Sequence, residues 1–149
     1  MTSDAAVSKL SPLVWLAEFE TGYPDIDDGH RQLLVDINAL SDLLEQGTAW
    51  LQVLDKSRHL CDRCFEHFVQ EEEVLENASY DKLAAHRREH LIIRRQLTEI
   101  LAQVRKVAVP SRVKLEAVLL LRSILVNHFF RYDILYKAHL LRQRGKHCG

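Results

Sequence analysis

Residues 82–106, KLAAHRREHLIIRRQLTEILAQVRK, place Leu83, His86, His90, Ile93, Leu97, Ile100 and Val104 in one series. The steps along it alternate three and four. That is the spacing of one helix face in an antiparallel bundle, because 3.6 residues make a turn. Glycine placement extends the reading outward. The five glycines are Gly22, Gly29, Gly47, Gly145 and Gly149, and between Gly47 and Gly145 the only proline is Pro110. Strands joined by tight turns usually need glycine at positive φ. So long an interval without one predicts helices, and the fold class is all-α.

Three further segments carry the same periodicity. One runs from Gly29 to Gln46 through Leu33, Leu34, Ile37, Leu40 and Leu44, with Gly47 as the residue that ends it and Thr48 as a cap for the next. Another runs from Ala49 to Glu76 through Val53, Leu60, Cys64 and Leu75. After a turn over Asn77–Asp81, with Ser79 and Asp81 as candidate caps, comes the segment quoted above. Pro110 and Ser111 then break and restart the chain. The last helix is expected over Arg112–Arg142, with Val118, Leu121, Leu125, His128 and Leu135 inward. Short connections between four amphipathic helices predict an up-down-up-down antiparallel four-helix bundle. The whole reads as one domain: an extended N-terminal arm over 1–29, pinned by Trp15 and Phe19, a bundle over 30–144 and a flexible tail over 145–149.

The 149 residues are 47% hydrophobic and 28% charged, with a net charge of −1. That composition excludes general disorder. The longest apolar run, Ala117–Leu121, is far short of the roughly 20 residues that span a bilayer, so no membrane association is expected. The basic residues are scattered rather than striped, which argues against nucleic acid as a partner. MTSDAAVSKL at the start has no apolar signal region. Three cysteines suit a reducing compartment, and the expected location is cytoplasmic.

Histidines and carboxylates hold the chemistry. His67 and Glu71 lie four apart on one helix face, and His86 and His90 repeat that spacing on the next. His30 is in phase with Leu33 and Ile37, and His128 with Leu121 and Leu125. Each helix thus sends an imidazole toward the apolar seam. Buried imidazoles without partners cost free energy, and coordination to a metal removes that cost. A set rich in nitrogen with some oxygen suits iron, manganese, copper or zinc. More than four ligands points to two ions. His128 and Asp133 are five apart, so an ideal helix would turn them roughly 140° from each other. A π-type bulge is expected between them.

His30, HFVQE at His67/Glu71, HRREH at His86/His90 and HFFRYD at His128/Asp133 resemble the hemerythrin family in its bacterial single-domain form. The leading WLAEFETGYPDIDDGH is similar to the family's tryptophan-containing arm. The resemblance covers nearly the whole chain. It implies two iron ions, with His86, His90 and His128 on one, and His30 and His67 on the other, where a position stays open for dioxygen. Glu71 and Asp133 would bridge the two with a hydroxide or oxide. Five neutral imidazoles against two carboxylates favour reversible binding over oxygen activation. The implied role is non-enzymatic: reversible dioxygen binding for storage, delivery or sensing. An enzyme acting on peroxide or nitric oxide, or a sensory interaction module, is the alternative.

The resemblance also implies an oxygen pocket of Leu33, Ile124, Leu125 and Phe129. Ile124 stands where the family often has tryptophan, and Phe129 where it often has isoleucine. Tyr80 matches a family tyrosine and is a candidate to donate a hydrogen bond behind the ligands. Cys61 and Cys64 form CDRC, but mid-helix, with no preceding strand. They read as core cysteines rather than a redox pair. Cys148, His59, His139 and His147 read as surface residues.

Overall fold

The computed structural model describes residues 10–106 and 111–147. Among these there is no strand. The helices are α1 (Pro24–Glu45), α2 (Trp50–Asn77), α3 (Leu83–Val104) and α4 (Ser111–Asn127), and α4 continues through a π turn and a 3-10 turn into α5 (Lys137–His147). The all-α bundle expected from the periodicity is the fold observed. No helix among the described residues is long and apolar enough to cross a membrane.

Helix α1 begins at Pro24, a turn and a half before the expected start at Gly29. Proline pre-sets φ for a first turn, and Asp25 and Asp27 there oppose the helix dipole. Asp27 also ties down the approach. Its carboxylate accepts from the Thr21 amide (2.9 Å), the Thr21 hydroxyl (2.8 Å) and the Gly22 amide (2.9 Å). Gly47, at φ 63°, follows the end of α1 as expected. The expected caps differ. Ala49 stands at the cap of α2 and Lys82 at that of α3, and neither makes a side-chain capping bond. Thr48, Ser79 and Asp81 do not take those positions. Ser79 instead takes the left-handed conformation, φ 54°, that turns the chain between helices.

The fourth helix holds the largest departure. A π turn spans His128–Tyr132, closed by the Asp133 amide donating to the His128 carbonyl, and a 3-10 turn spans Asp133–Tyr136. The expected bulge is present. It adds one residue to the turn, so every later position rotates. Leu135, expected inward, is exposed, and Tyr136 is fully buried in its place. The helix then runs through Gly145, so the tail expected from 145 is helical as far as His147. Pro110, Cys148 and the His147 side chain lie outside the described residues.

Of the arm expected over 1–29, residues 1–9 lie outside the described residues, and residues 10–23 contact the bundle. Leu13 exchanges two 2.8 Å hydrogen bonds with Asn38. Trp15 meets Phe19 edge-on at 5.8 Å, Phe19 meets Phe130 at 4.9 Å, and the Arg31 guanidinium lies 4.6 Å over the Trp15 ring. Apolar side chains bury into two clusters rather than one. The larger includes Leu33, Ile37, Leu60, Cys64, Phe68, Leu97, Leu121 and Leu125. The smaller holds Ile26, Leu75, Ala78, Tyr80, Tyr136 and Leu140. On α1, α2 and the fourth helix the boundary between them falls at His30, His67–Glu71 and His128–Asp133.

Cys61 and Cys64 are fully buried free thiols in the larger cluster. Burial pushes the Cys61 thiol up to about 12 and the Cys64 thiol well above its ordinary value. A thiolate is the reactive form. In a Cys148→Ser background, a thiol reagent is expected to label neither cysteine until denaturant unfolds the chain. Truncating a fully buried core side chain, Leu121→Ala, is expected to cost about 2–5 kcal/mol in a urea titration.

Candidate metal centre

Between the two apolar clusters lies a layer of buried polar side chains. His30, His67, Glu71, His86, His90, His128 and Asp133 are all buried, and Glu71 is 0% exposed. Their ligating atoms form two overlapping groups, each with all its atoms within 4.8 Å of one another. One is Glu71, His86, His90, His128 and Asp133, and the other is His30, His67, Glu71 and Asp133. The structure therefore brings together all seven residues singled out in the sequence. The two carboxylates belong to both groups.

Each element delivers its part for a local reason. Helix α2 presents His67 and Glu71 one turn apart, with His67 Nε2 3.1 Å from Glu71 Oε2. Helix α3 presents His86 and His90. His86 Nε2 is 2.5 Å from Glu71 Oε1, and His90 Nε2 is 3.2 Å from the same oxygen. Helix α1 brings His30, whose Nε2 lies 2.9 Å from Asp133 Oδ2 and 3.2 Å from Glu71 Oε2. The π turn swings Asp133 onto the face of His128, 3.0 Å from its Nε2. Gly29 is required by close approach. A Cβ there would sit 2.3 Å from His67 Nδ1.

Electrostatics follow from this crowding. Burial opposes charge on His30 and His86, yet the Asp133 and Glu71 carboxylates outweigh it and raise both imidazoles to about 10. Burial likewise opposes ionisation of Glu71, but His30, His67, His86 and His90 hold it well below the usual carboxylate range. Asp133 is held low in the same way, chiefly by His128 and His30. Imidazole nitrogens and carboxylate oxygens packed this closely, with almost no water access, suit cations that replace protons.

Two supporting side chains escaped the sequence reading. Tyr136 donates a 2.9 Å hydrogen bond from its hydroxyl to Glu71 Oε2. Its position on the inner face follows from the π turn, which also hid it from an α-helical count. Glu72 Oε1 accepts from His90 Nδ1 at 2.7 Å, a contact that fixes the ring and its tautomer. The run Glu71-Glu72-Glu73 held that signal, because a carboxylate beside a ligand reaches the neighbouring helix. Tyr80, the candidate donor, packs its ring on Tyr136 and on His139. His139 is half-buried and bonds the Ala78 carbonyl, in contrast to the expected surface role, whereas His59 is exposed beside Asp55. Of the expected oxygen pocket, Leu33 and Leu125 are buried, and Ile124 and Phe129 are half-buried against them.

Fold and site together define a helical-bundle protein with a buried metal-binding centre of histidines and carboxylates. The profile of the hemerythrin HHE cation binding domain matches residues 21–139, and the chain belongs to the hemerythrin family. It is 30% identical to a myohemerythrin of Theromyzon tessulatum over 87% of this chain and 94% of that protein. It is 31% identical to a bacteriohemerythrin of Pseudomonas paraeruginosa over 60% of this chain, and 33% identical to one of Stenotrophomonas maltophilia over 58%. The matched stretches span 58% and 56% of those two bacterial proteins. No solved structure matches the chain.

Two outcomes are expected. Tyr136→Phe should keep the fold and weaken metal affinity by about 10–100-fold, the usual effect of removing a group that holds a ligand. Stability against pH should differ between the metal-free and loaded protein. In the metal-free chain the raised imidazoles stabilise fully below about 6.5, their unfolded value, and that contribution is lost as pH rises toward about 10. The depressed carboxylates stabilise above 4.5 and lose their contribution as pH falls. The metal-free optimum should fall between these two limits. Loaded protein should gain stability with rising pH over the same range, because cations displace protons.

Proposed function

We propose that this chain is a cytoplasmic, non-haem di-iron protein that binds dioxygen reversibly. The observation that carries the reading is the sharing of Glu71 and Asp133 between two ligand groups. Two carboxylates common to both groups suit a pair of cations held side by side. In this reading His86, His90 and His128 hold one ion, and His30 and His67 hold the other with a position to spare. Glu71 and Asp133 would serve both ions, with a hydroxide or oxide completing the set. Iron in these positions supplies the reversible redox chemistry on which dioxygen uptake depends.

The protein's own part is to position and to exclude. Glu71 is fixed by the Tyr136 hydroxyl, and the His90 ring by Glu72. Leu33, Ile124, Leu125 and Phe129 form the apolar wall of the oxygen pocket and keep water away. Phe68 stacks on His90 at 3.8 Å and stands edge-on to His128 at 5.2 Å, which closes the three-histidine side. Five neutral imidazoles and two carboxylates leave the pair of ions only lightly compensated. Release of dioxygen is then favoured over its activation. The chain is read as a binder rather than a catalyst on its membership of the hemerythrin family.

Anaerobic loading with ferrous iron, metal analysis and oxygen titration test the reading. About two irons per chain and a visible band that appears with air and fades under argon are expected. Turnover of peroxide or nitric oxide without such a band would replace the carrier with an enzyme. Glu71→Ala removes a carboxylate common to both groups and should lose both irons together. His67→Ala should lose one preferentially.

A further inference from the structure

A cavity between the N-terminal arm and the π turn adjoins the centre and is not part of the ligand set. Its walls include Trp15, Phe19, Phe129 and Phe130 together with Thr21 and Lys137, and it touches His30 and Asp133. Phe129 tilts against the His30 ring at 5.4 Å, and Phe19 lies edge-on to Phe130 at 4.9 Å. The space is about 30 Å³. One water needs roughly 10–15 Å³, so a diatomic molecule fits and little more. The lining is mainly apolar, and its Thr21 hydroxyl and Lys137 amine are already bonded to Asp27 and the Glu18 carbonyl, so water finds few partners there, whereas a small apolar gas needs none.

The arm is a built wall here. Leu13 is bonded to Asn38 on α1, Thr21 and Gly22 to Asp27, and the Lys137 amine to the Glu18 carbonyl. Phe19 sits in the short 3-10 turn between these anchors, half-buried in the lining of the cavity. The groove on the other side of α1 has a different chemistry. It is lined by Gln32, Arg63, Glu66 and Gln70 beside Leu33, and it reaches His67. Charged and amide groups there favour water and ions.

We propose that the aromatic cavity is the entrance through which a small apolar diatomic gas reaches the His30 side of the centre, with Phe19 as its gate. The inference rests on the dioxygen-binding reading and adds the route and the residue that controls it. A gate changes the barrier in both directions and leaves the end states alone.

Rapid-mixing measurements on the iron-loaded chain test this. Phe19→Ala should raise dioxygen association and dissociation rate constants several-fold and by one factor, with the equilibrium constant unchanged. Phe19→Trp should lower both. Unchanged rates, or a change in dissociation alone, would overturn the gate. A second arm uses xenon on the metal-free chain, followed by NMR. Saturable shifts at His30 and Phe129, abolished by Ile134→Trp at the cavity wall, are expected. Absence of any xenon effect at His30 would overturn the proposal whatever the dioxygen result. Xenon binding in a chain that takes up no dioxygen would instead overturn the carrier reading and leave the cavity as a small-gas site.

Discussion

Glu71 and Asp133 carry two carboxylates into a helical core from which water is almost wholly excluded. An unpaired buried carboxylate costs several kcal/mol even after the protein relaxes, while a buried leucine stabilises by about 1.5–3 kcal/mol. Two such charges left alone would cancel several leucines. The structure answers with five imidazoles, one phenol hydroxyl and positions for cations around them. This constraint explains why the apolar core is divided. The larger and smaller clusters lie either side of the polar layer, and the layer is tolerable only because its donors and acceptors face one another rather than either cluster.

The π turn is the one backbone irregularity that this layer demands. An undistorted helix from His128 would turn Leu135 inward and Asp133 aside. The widened turn brings His128, Asp133 and Tyr136 to one face and sends Ile134 and Leu135 toward solvent. A single inserted residue thus supplies two metal-type ligands and the hydrogen bond that fixes a third, Glu71. The exposed leucine is the visible cost of the new register.

Most of the fold and the ligand set could be read from residue order because helix periodicity and His/Glu spacing are local. His67/Glu71 and His86/His90 need only 3.6 residues per turn to share a face. What escaped depended on contacts between elements. Tyr136 took Leu135's place through the register shift. Glu72 reaches His90 across a helix pair, and only its place next to the ligand Glu71 in the acidic run hinted at that contact. The start of α1 was misplaced because Gly29 looks like a helix boundary. It is an interior residue kept small by the His67 ring, and Pro24 with Asp27 makes the true start. Thr48 failed as a cap because capping is a matter of one residue's placement, and the connection put Ala49 at that position.

Gly29 also shows how the two sides of the centre differ. Glycine inside a helix costs about 0.5–1 kcal/mol relative to alanine, and here its bare backbone admits the His67 ring. His90 has Glu72 for its outer nitrogen, whereas His67 Nδ1 has no hydrogen-bond partner among the described residues and faces the glycine, beside a groove lined by Gln32, Arg63, Glu66 and Gln70. The His30 side is closed instead by aromatic rings from the arm and the π turn. Polar solvent therefore meets the centre behind one imidazole, and apolar molecules meet it beside another. Under the proposed dioxygen-binding reading, that division of surfaces matters as much as the ligands themselves.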